Sequence, residues 1–78
     1  MKIVKSSLKQ ISFSCPSAWT GLSDDGKSIE IHFRCGRLEF KVENKVKARG
    51  ERDEFDVSSY IELPEALAIL LKEGVECE

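Results

Sequence analysis

The stretch KSIEIHFRCGRLEFKVE, residues 27–43, decides the fold of this chain. Apolar residues recur at every second position on both sides of Gly36, which is the period of a half-buried β-strand. The residues CGR, 35–37, separate the two runs and predict a hairpin turn between antiparallel strands. The side chains expected on the inner face are Ile29, Ile31, Phe33, Cys35, Leu38, Phe40 and Val42.

The alternation continues to Arg49, and two interpretations fit it. Either one long strand runs that far, or residues 43–45 turn back into a further short strand. Asn44 suits a turn better than an apolar face, because its side chain bonds its own backbone and tolerates turn geometry. We therefore favour the turn, which leaves Val46 and Ala48 on the inner side of the next strand.

Residues 8–15 precede the hairpin and alternate in the same way, with Ile11 and Phe13 on the apolar face. Pro16 has no backbone N–H to donate to a sheet, so the strand is expected to end there. The residues that follow are interpreted as a loop that carries Trp19, the only tryptophan of the chain.

A last strand and a helix complete the prediction. Residues 54–63 alternate again and predict the strand. Residues 63–74, LPEALAILLKEG, predict a helix with a proline suited to its first turn and a glycine suited to its end. Ile69 falls on the flank of this helix. At about 100° per residue, the leucines that share one face are Leu63, Leu67, Leu70 and Leu71.

These segments together predict an α+β fold. We expect a small antiparallel sheet of four to five strands, meander-like or barrel-like, followed by one C-terminal helix packed on it. One domain is expected over residues 1–78. A chain this short buries only about 60–65% of its unfolded surface, so the core needs most of the large apolar side chains.

Composition and charge narrow the classes of function. The formal charge of −2 and the pI of about 5.4 lack the basic excess of a domain that binds duplex nucleic acid. The apolar run at 66–71 is about a third of a membrane span, and residues 1–10 lack a signal-peptide core. Three cysteines are an odd count for a secreted disulfide scaffold. We expect a cytoplasmic protein with no membrane partner.

Metal binding and catalysis are not favoured. His32 and Cys35 form H-x-x-C, but residues three apart on a strand project to opposite faces. Cys15 and Cys35 are interpreted as buried apolar thiols. The single histidine has no signature nucleophile near it, and residues 24–25 belong to a turn. We expect no metal, no cofactor and no enzymatic activity.

Protein interaction is the favoured class, and the function expected is that of a small non-enzymatic binding module. Trp19 is either an exposed anchor or a lid over one end of the sheet, and the lid is favoured in a domain short of core. Ile69 on the helix flank is the second candidate for partner binding. An open sheet also has edges that accept another strand, and the N-terminal segment and residues 45–49 are the candidates for such an edge. The partner is an unknown protein or a second copy.

The alternative is a β-rich domain that binds single-stranded nucleic acid. Such domains combine basic residues with aromatic rings on a sheet surface. Acidic residues alternate with the basic ones here, which is more typical of a solvated face. The candidate residues are Trp19, Arg34, Arg37, Lys45, Lys47 and Arg49.

Overall fold

A computed structural model of the chain describes residues 2–13, 16–51 and 60–78. In chain order the elements are β1 (Lys2–Ile3), a 3₁₀ turn (Lys5–Ser7), β2 (Lys9–Ser12), β3 (Ser17–Leu22), β4 (Ser28–Arg34), β5 (Arg37–Val42), β6 (Lys45–Glu51), α1 (Leu63–Lys72) and β7 (Glu76–Cys77). Strands β2 to β6 form an antiparallel five-stranded sheet in chain order, and β1 pairs with β7 in parallel. The predicted α+β fold with one C-terminal helix is confirmed, and the sheet is not closed into a barrel.

Two tight turns build the centre of the sheet. Cys35 and Gly36 join β4 to β5, and both have positive φ, at 52° and 76°. Glu43 and Asn44 join β5 to β6 with φ of 49° and 69°. Positive φ at both central residues is the turn geometry that matches the twist of a hairpin. The prediction of a turn at Asn44 is confirmed. The inward placement of Cys35 is wrong, since this residue lies exposed in the turn.

The segment after Pro16 was interpreted as a loop, and this was wrong because it forms strand β3. The first three residues of β3 are all buried, so burial does not alternate along its first half. The apolar periodicity that marks a half-buried strand is therefore missing. The strand predicted over 54–63 lies mainly outside the described residues. Its described end is not strand, and Leu63 begins the helix.

The core lies between the inner face of the sheet and α1. Pro64 stands in the first turn of the helix, and Gly74, with φ of 86°, follows its end, as predicted. The buried side chains are mainly those that alternate along β4 and β5. The largest apolar members are Ile3, Trp19, Ile29, Ile31, Phe33, Leu38, Phe40, Ile61, Ile69 and Leu70.

The helix is rotated relative to the predicted leucine face. Ile69 is only 9% exposed and packs in the core, whereas Leu71 is 61% exposed. The cause lies on β6, where Gly50 has no side chain. A Cβ atom built on Gly50 would stand 2.4 Å from Cγ2 of Ile69, so the glycine makes room for the isoleucine. The prediction of an exposed Ile69 was therefore wrong.

Strand β6 contains a register shift that changes which side chains face the core. Ala48 lies opposite Phe40 of β5, whereas Val46 lies opposite Lys41. One extra residue, Lys47, separates these pairs, as in a β-bulge. Val46 is consequently exposed, which corrects its predicted inward placement, while Ala48 is half-buried against the core.

Candidate functional site

The outer face of the sheet carries charges of both signs. Nε2 of His32 lies 2.8 Å from Oε2 of Glu30 on the same strand. Nε of Arg49 on β6 donates to Oε2 of Glu39 on β5 at 3.3 Å. Acidic side chains therefore accompany the basic ones at neighbouring positions, which is the pattern of a solvated sheet face.

The candidate basic residues lie in two places. Arg34 and Arg37 are exposed and directly opposite each other, on the two sides of the β4–β5 turn. The other three follow β6 and are exposed: Lys45, Lys47 and Arg49. Arg37 also lies opposite Glu51 of β6. The structure does not bring Trp19 to these residues, because its side chain is buried on the inner face.

Trp19 lies in the middle of β3, opposite Ile31, and is 4% exposed. Neither it nor Ile69 presents an anchor to a partner, because both side chains are core members. Burial of Trp19 agrees with its favoured interpretation as a core residue. Its placement in a loop was wrong, since it is a strand residue in contact with the other core side chains.

The exposed apolar side chains of the sheet edge were missed as a site. Ile11 is 57% exposed and Phe13 is 71% exposed, although the sequence pattern predicted both on an inner face. Strand β2 is the first strand of the sheet order, and among the described residues no strand pairs with its outer side. The pairing of β2 with β3 shifts register between Gln10 and Ser12, so Ile11 lies at an irregularity of this outermost strand, and Phe13 directly follows the strand.

A buried hydroxyl joins this edge to the segment before the helix. Oγ of Ser17 donates to the carbonyl oxygen of Phe13 at 2.6 Å and accepts from the backbone N–H of Ile61 at 3.2 Å. Tyr60, next to Ile61 in the chain, is also exposed. We refer to Ile11, Phe13 and Tyr60 as the apolar corner. Aromatic residues of this kind are enriched at the centres of protein interfaces.

The N-terminal segment covers the outer side of β3 in two parts. The N–H of Val4 donates to the carbonyl oxygen of Leu22 at 2.9 Å, beside β1. The 3₁₀ turn follows, and β2 then pairs with residues 18–20. Strand β7 covers the outer side of β1, where the N–H of Glu78 donates to Ile3 at 2.9 Å. The C-terminal strand thus occupies the β1 part of this edge, and the β2 part stays open in the described structure.

A second apolar surface lies between α1 and the β1–β7 pair. It is a groove of about 390 Å³. The residues that line it are Lys2, Pro64, Leu67, Ala68, Leu71, Glu76 and Cys77. Nζ of Lys2 lies 3.9 Å from Oε2 of Glu76 at its rim. Burial raises the pKa of the half-buried Cys77 thiol, which keeps the thiol protonated at neutral pH.

The aspartates of the β3–β4 connection stabilise the turn. The hydroxyl of the buried Ser23 donates to Oδ1 of Asp25, and Oδ1 of Asp24 accepts from the backbone N–H of Lys2 at 3.0 Å. The Ser23 hydroxyl, followed by the charge of Lys27, lowers the pKa of Asp25 below its ordinary value of 3.8. Both carboxylates are thus engaged with neighbouring backbone or side-chain groups.

Across the described ranges, no three His, Cys, Asp or Glu side chains gather as ligands for a metal ion. The same residues include no helix of the length and apolarity needed to cross a bilayer. Comparison of the chain with protein-family models, curated proteins and solved structures found no match in any of the three.

Proposed function

We propose that the chain is a small non-enzymatic binding module that acts through protein contacts, and that β2 with the apolar corner is its contact surface. The observation that carries this proposal is the exposure of Ile11 on an outermost strand and of Phe13 directly after that strand. A small domain needs its large apolar side chains in the core. Two of them placed in solvent at one edge therefore favour a surface that a partner covers.

The surface combines two sources of affinity. The outer side of an edge strand offers backbone N–H and C=O groups to a further strand, which is the mode of β-strand addition. The apolar corner adds side-chain burial beside it. Covering one large apolar side chain contributes about 1.5–3 kcal/mol, so Ile11 and Phe13 together are enough to matter for binding.

Binding of single-stranded nucleic acid is the second candidate. Its support is the cross-strand pair of Arg34 and Arg37, because two like charges placed opposite each other favour a bound anion. Stacking of bases on aromatic rings usually accompanies such charges. On strands β3 to β5 the rings of Trp19, Phe33 and Phe40 are all buried, and the exposed rings of Phe13 and Tyr60 belong to the apolar corner rather than to these strands. Protein contact is therefore preferred.

A reducing compartment, the cytoplasm, is part of the proposal. Its support is the count of three cysteines, which is odd for a secreted disulfide scaffold. Such a count is more typical of a chain kept under reducing conditions.

The test is affinity capture from the source cell with the wild type and two variants, Ile11→Lys and Phe13→Lys. We expect a protein that the wild type retains and that both variants lose. Leu71→Lys is the matched control, because it places the same charge at an exposed apolar residue on α1. If both edge variants retain the captured protein and the control loses it, the contact surface is instead the groove between α1 and the β1–β7 pair.

A titration with a mixed-sequence single-stranded oligonucleotide separates the two candidates. Protein contact predicts no saturable change at low salt. Binding that falls with salt and weakens in Arg34→Ala and Lys47→Ala would replace the proposal by its alternative.

A further inference from the structure

We propose that the exposed face of α1 binds a second copy of this chain, with the two helices packed antiparallel about a two-fold axis beside Ala68. This inference goes beyond the proposed function, because it assigns a contact surface separate from β2. The residues of the exposed face are Pro64, Glu65, Ala68, Leu71 and Lys72.

The exposed face of α1 has an apolar side and a charged side. At about 100° per residue, Pro64 and Leu71 lie about 40–60° to one side of Ala68 around the helix. Glu65 and Lys72 lie about 40–60° to the other side, by the same periodicity. The apolar side borders the groove between α1 and the β1–β7 pair. A partner of this face must therefore offer apolar groups along one side and charges of both signs along the other.

The charged side is complementary to itself. Glu65 stands in the first turn of α1 and Lys72 in the last turn, and the position midway between them falls beside Ala68. A two-fold axis at this point sets the charged side of one helix beside the charged side of the other and reverses its direction. Glu65 of each copy then meets Lys72 of the other, in two ion pairs about 10 Å apart along the helix at about 1.5 Å per residue. Parallel packing would instead set the charged side of each copy against the apolar side of the other.

The same axis matches the apolar side. The position midway between Pro64 and Leu71 also falls beside Ala68, so Leu71 of each copy lies against Pro64 of the other. Leu71 thereby enters the groove of the other copy, which the half-buried Leu67 also lines. Ala68 has the smallest side chain of the exposed face and lies at the axis, where it permits a separation of about 8 Å between the helix axes. One axis therefore pairs acid with base and apolar with apolar, and this selects a second copy as the partner.

The neighbouring charges do not oppose this contact. Nζ of Lys2 and Oε2 of Glu76 pair with each other at the groove rim, 3.9 Å apart. A Cβ atom built on Gly50 of β6 would lie 3.6 Å from Cγ of Glu73, so Glu73 faces β6 rather than the second copy. Antiparallel packing also sets the negative C-terminal end of each helix dipole beside the positive N-terminal end of the other.

The experiment is sedimentation equilibrium of the purified full chain from micromolar to millimolar concentration, with charge reversals on α1. We expect a reversible monomer–dimer equilibrium for the wild type. Glu65→Lys and Lys72→Glu each set like charges together at both ends of the contact, and each should weaken self-association by about tenfold. An equimolar mixture of the two variants again joins opposite charges at both ends, so the mixed dimer should form with the affinity of the wild type.

The double variant Glu65→Lys/Lys72→Glu is the control for folding. It carries both reversals relative to the helix dipole and yet restores the ion pairs between copies, so it should associate like the wild type. Circular dichroism verifies that each variant is folded, and Glu65→Gln and Lys72→Gln replace a reversal that unfolds the helix. Leu71→Lys should weaken self-association, whereas Ile11→Lys on β2 should leave it unchanged.

Three results would overturn the proposal. The first is a wild type that stays monomeric at all concentrations. The second is self-association that both single reversals keep or that Ile11→Lys loses. The third is a mixture of the two reversals that associates no better than either variant alone. None of these results affects capture of a partner that depends on Ile11 and Phe13, so failure of this inference is distinguishable from failure of the proposed function.

Discussion

The two outermost strands of the sheet, β6 and β2, differ in the side chains that they present at an open edge. Strand β6 has charged side chains along its length, and Ile69 of the helix packs against its Gly50. Strand β2 has one charged residue and exposes Ile11, and Phe13 is exposed directly after it. Both strands contain a register shift, so irregular pairing does not distinguish them. The difference lies in charge and in apolar exposure.

The two edges differ in how far they are protected against pairing with a further strand. An edge protected by lysines and packed by a helix is closed to further strands at little cost to the core. Strand β2 is short and irregular but exposes a large apolar side chain, so its protection is weaker, and we propose that a partner covers it. Of the two edges, β6 is therefore the protected one, and the proposed contact surface lies at β2.

The largest expected effect concerns the contact that packs α1 on β6. Gly50→Ala places a Cβ 2.4 Å from Cγ2 of Ile69, so the two elements must move apart. We expect a loss of about 1–3 kcal/mol in the free energy of unfolding from overpacking, and about 2–5 kcal/mol for Ile69→Ala from the cavity. Urea denaturation measures both.

The double variant Gly50→Ala/Ile69→Ala is the control for this contact. Removal of Cγ2 from Ile69 creates the space that the new methyl group needs. We expect the double variant to lose less free energy of unfolding than the sum of the losses in the two single variants. Additive effects would contradict the inference that Gly50 leaves space for the side chain of Ile69.

A smaller effect is expected at the hydroxyl that joins the β2 side to the helix entry. Ser17→Ala leaves the N–H of Ile61 without its buried acceptor and the carbonyl oxygen of Phe13 without its donor. We expect a loss of about 1–3 kcal/mol in the free energy of unfolding. Shifts in the NMR signals of Phe13 and Tyr60 should accompany it.

Ser28→Ala is the matched control for Ser17, because its side chain is exposed at the start of β4. An exposed replacement of this kind changes stability by about 0.5 kcal/mol or less. Equal effects of the two serines would contradict the role assigned to Ser17.

The smallest effect is expected in the β3–β4 turn, which holds β1 beside β3. The pKa of Asp25 is lowered in the folded state, so its contribution to stability is present above pH 3.8 and is lost as the pH falls through the lower folded value. Ser23→Ala removes the main cause and should raise the pKa of Asp25. Lys27→Gln removes a lesser cause and should raise it less. Carboxyl ¹³C titration measures each value, and an unchanged pKa in Ser23→Ala would contradict the assignment.

The sequence predicted the central strands and the helix because their signals are local. Alternation over residues 28–42, a turn-forming pair at 35–36 and the helix boundaries at Pro64 and Gly74 all depend on neighbours in the chain. Strand β3 escaped prediction because Ser17 and Ala18 are buried along with Trp19, and two small residues give no apolar period.

The candidate site was only half predicted. The alternation around Ile11 and Phe13 correctly indicated a strand, although Leu8 and Phe13 lie outside it. It also placed both side chains inside, because an apolar face is ordinarily a buried face. Nothing in the local pattern indicates that a strand is outermost in its sheet. The two side chains were therefore predicted in the core, whereas the folded structure exposes them to solvent.

The sequence by itself determined the α+β class, the β4–β5 and β5–β6 hairpins and the extent of the helix, since these follow from backbone preferences and periodicity within short segments. The tertiary structure alone decided the rotation of α1 toward Gly50, the burial of Ile69, the cover of β1 by β7 and the exposure of β2. Each of these depends on which distant segments meet, and steric fit between them selects the face that is buried.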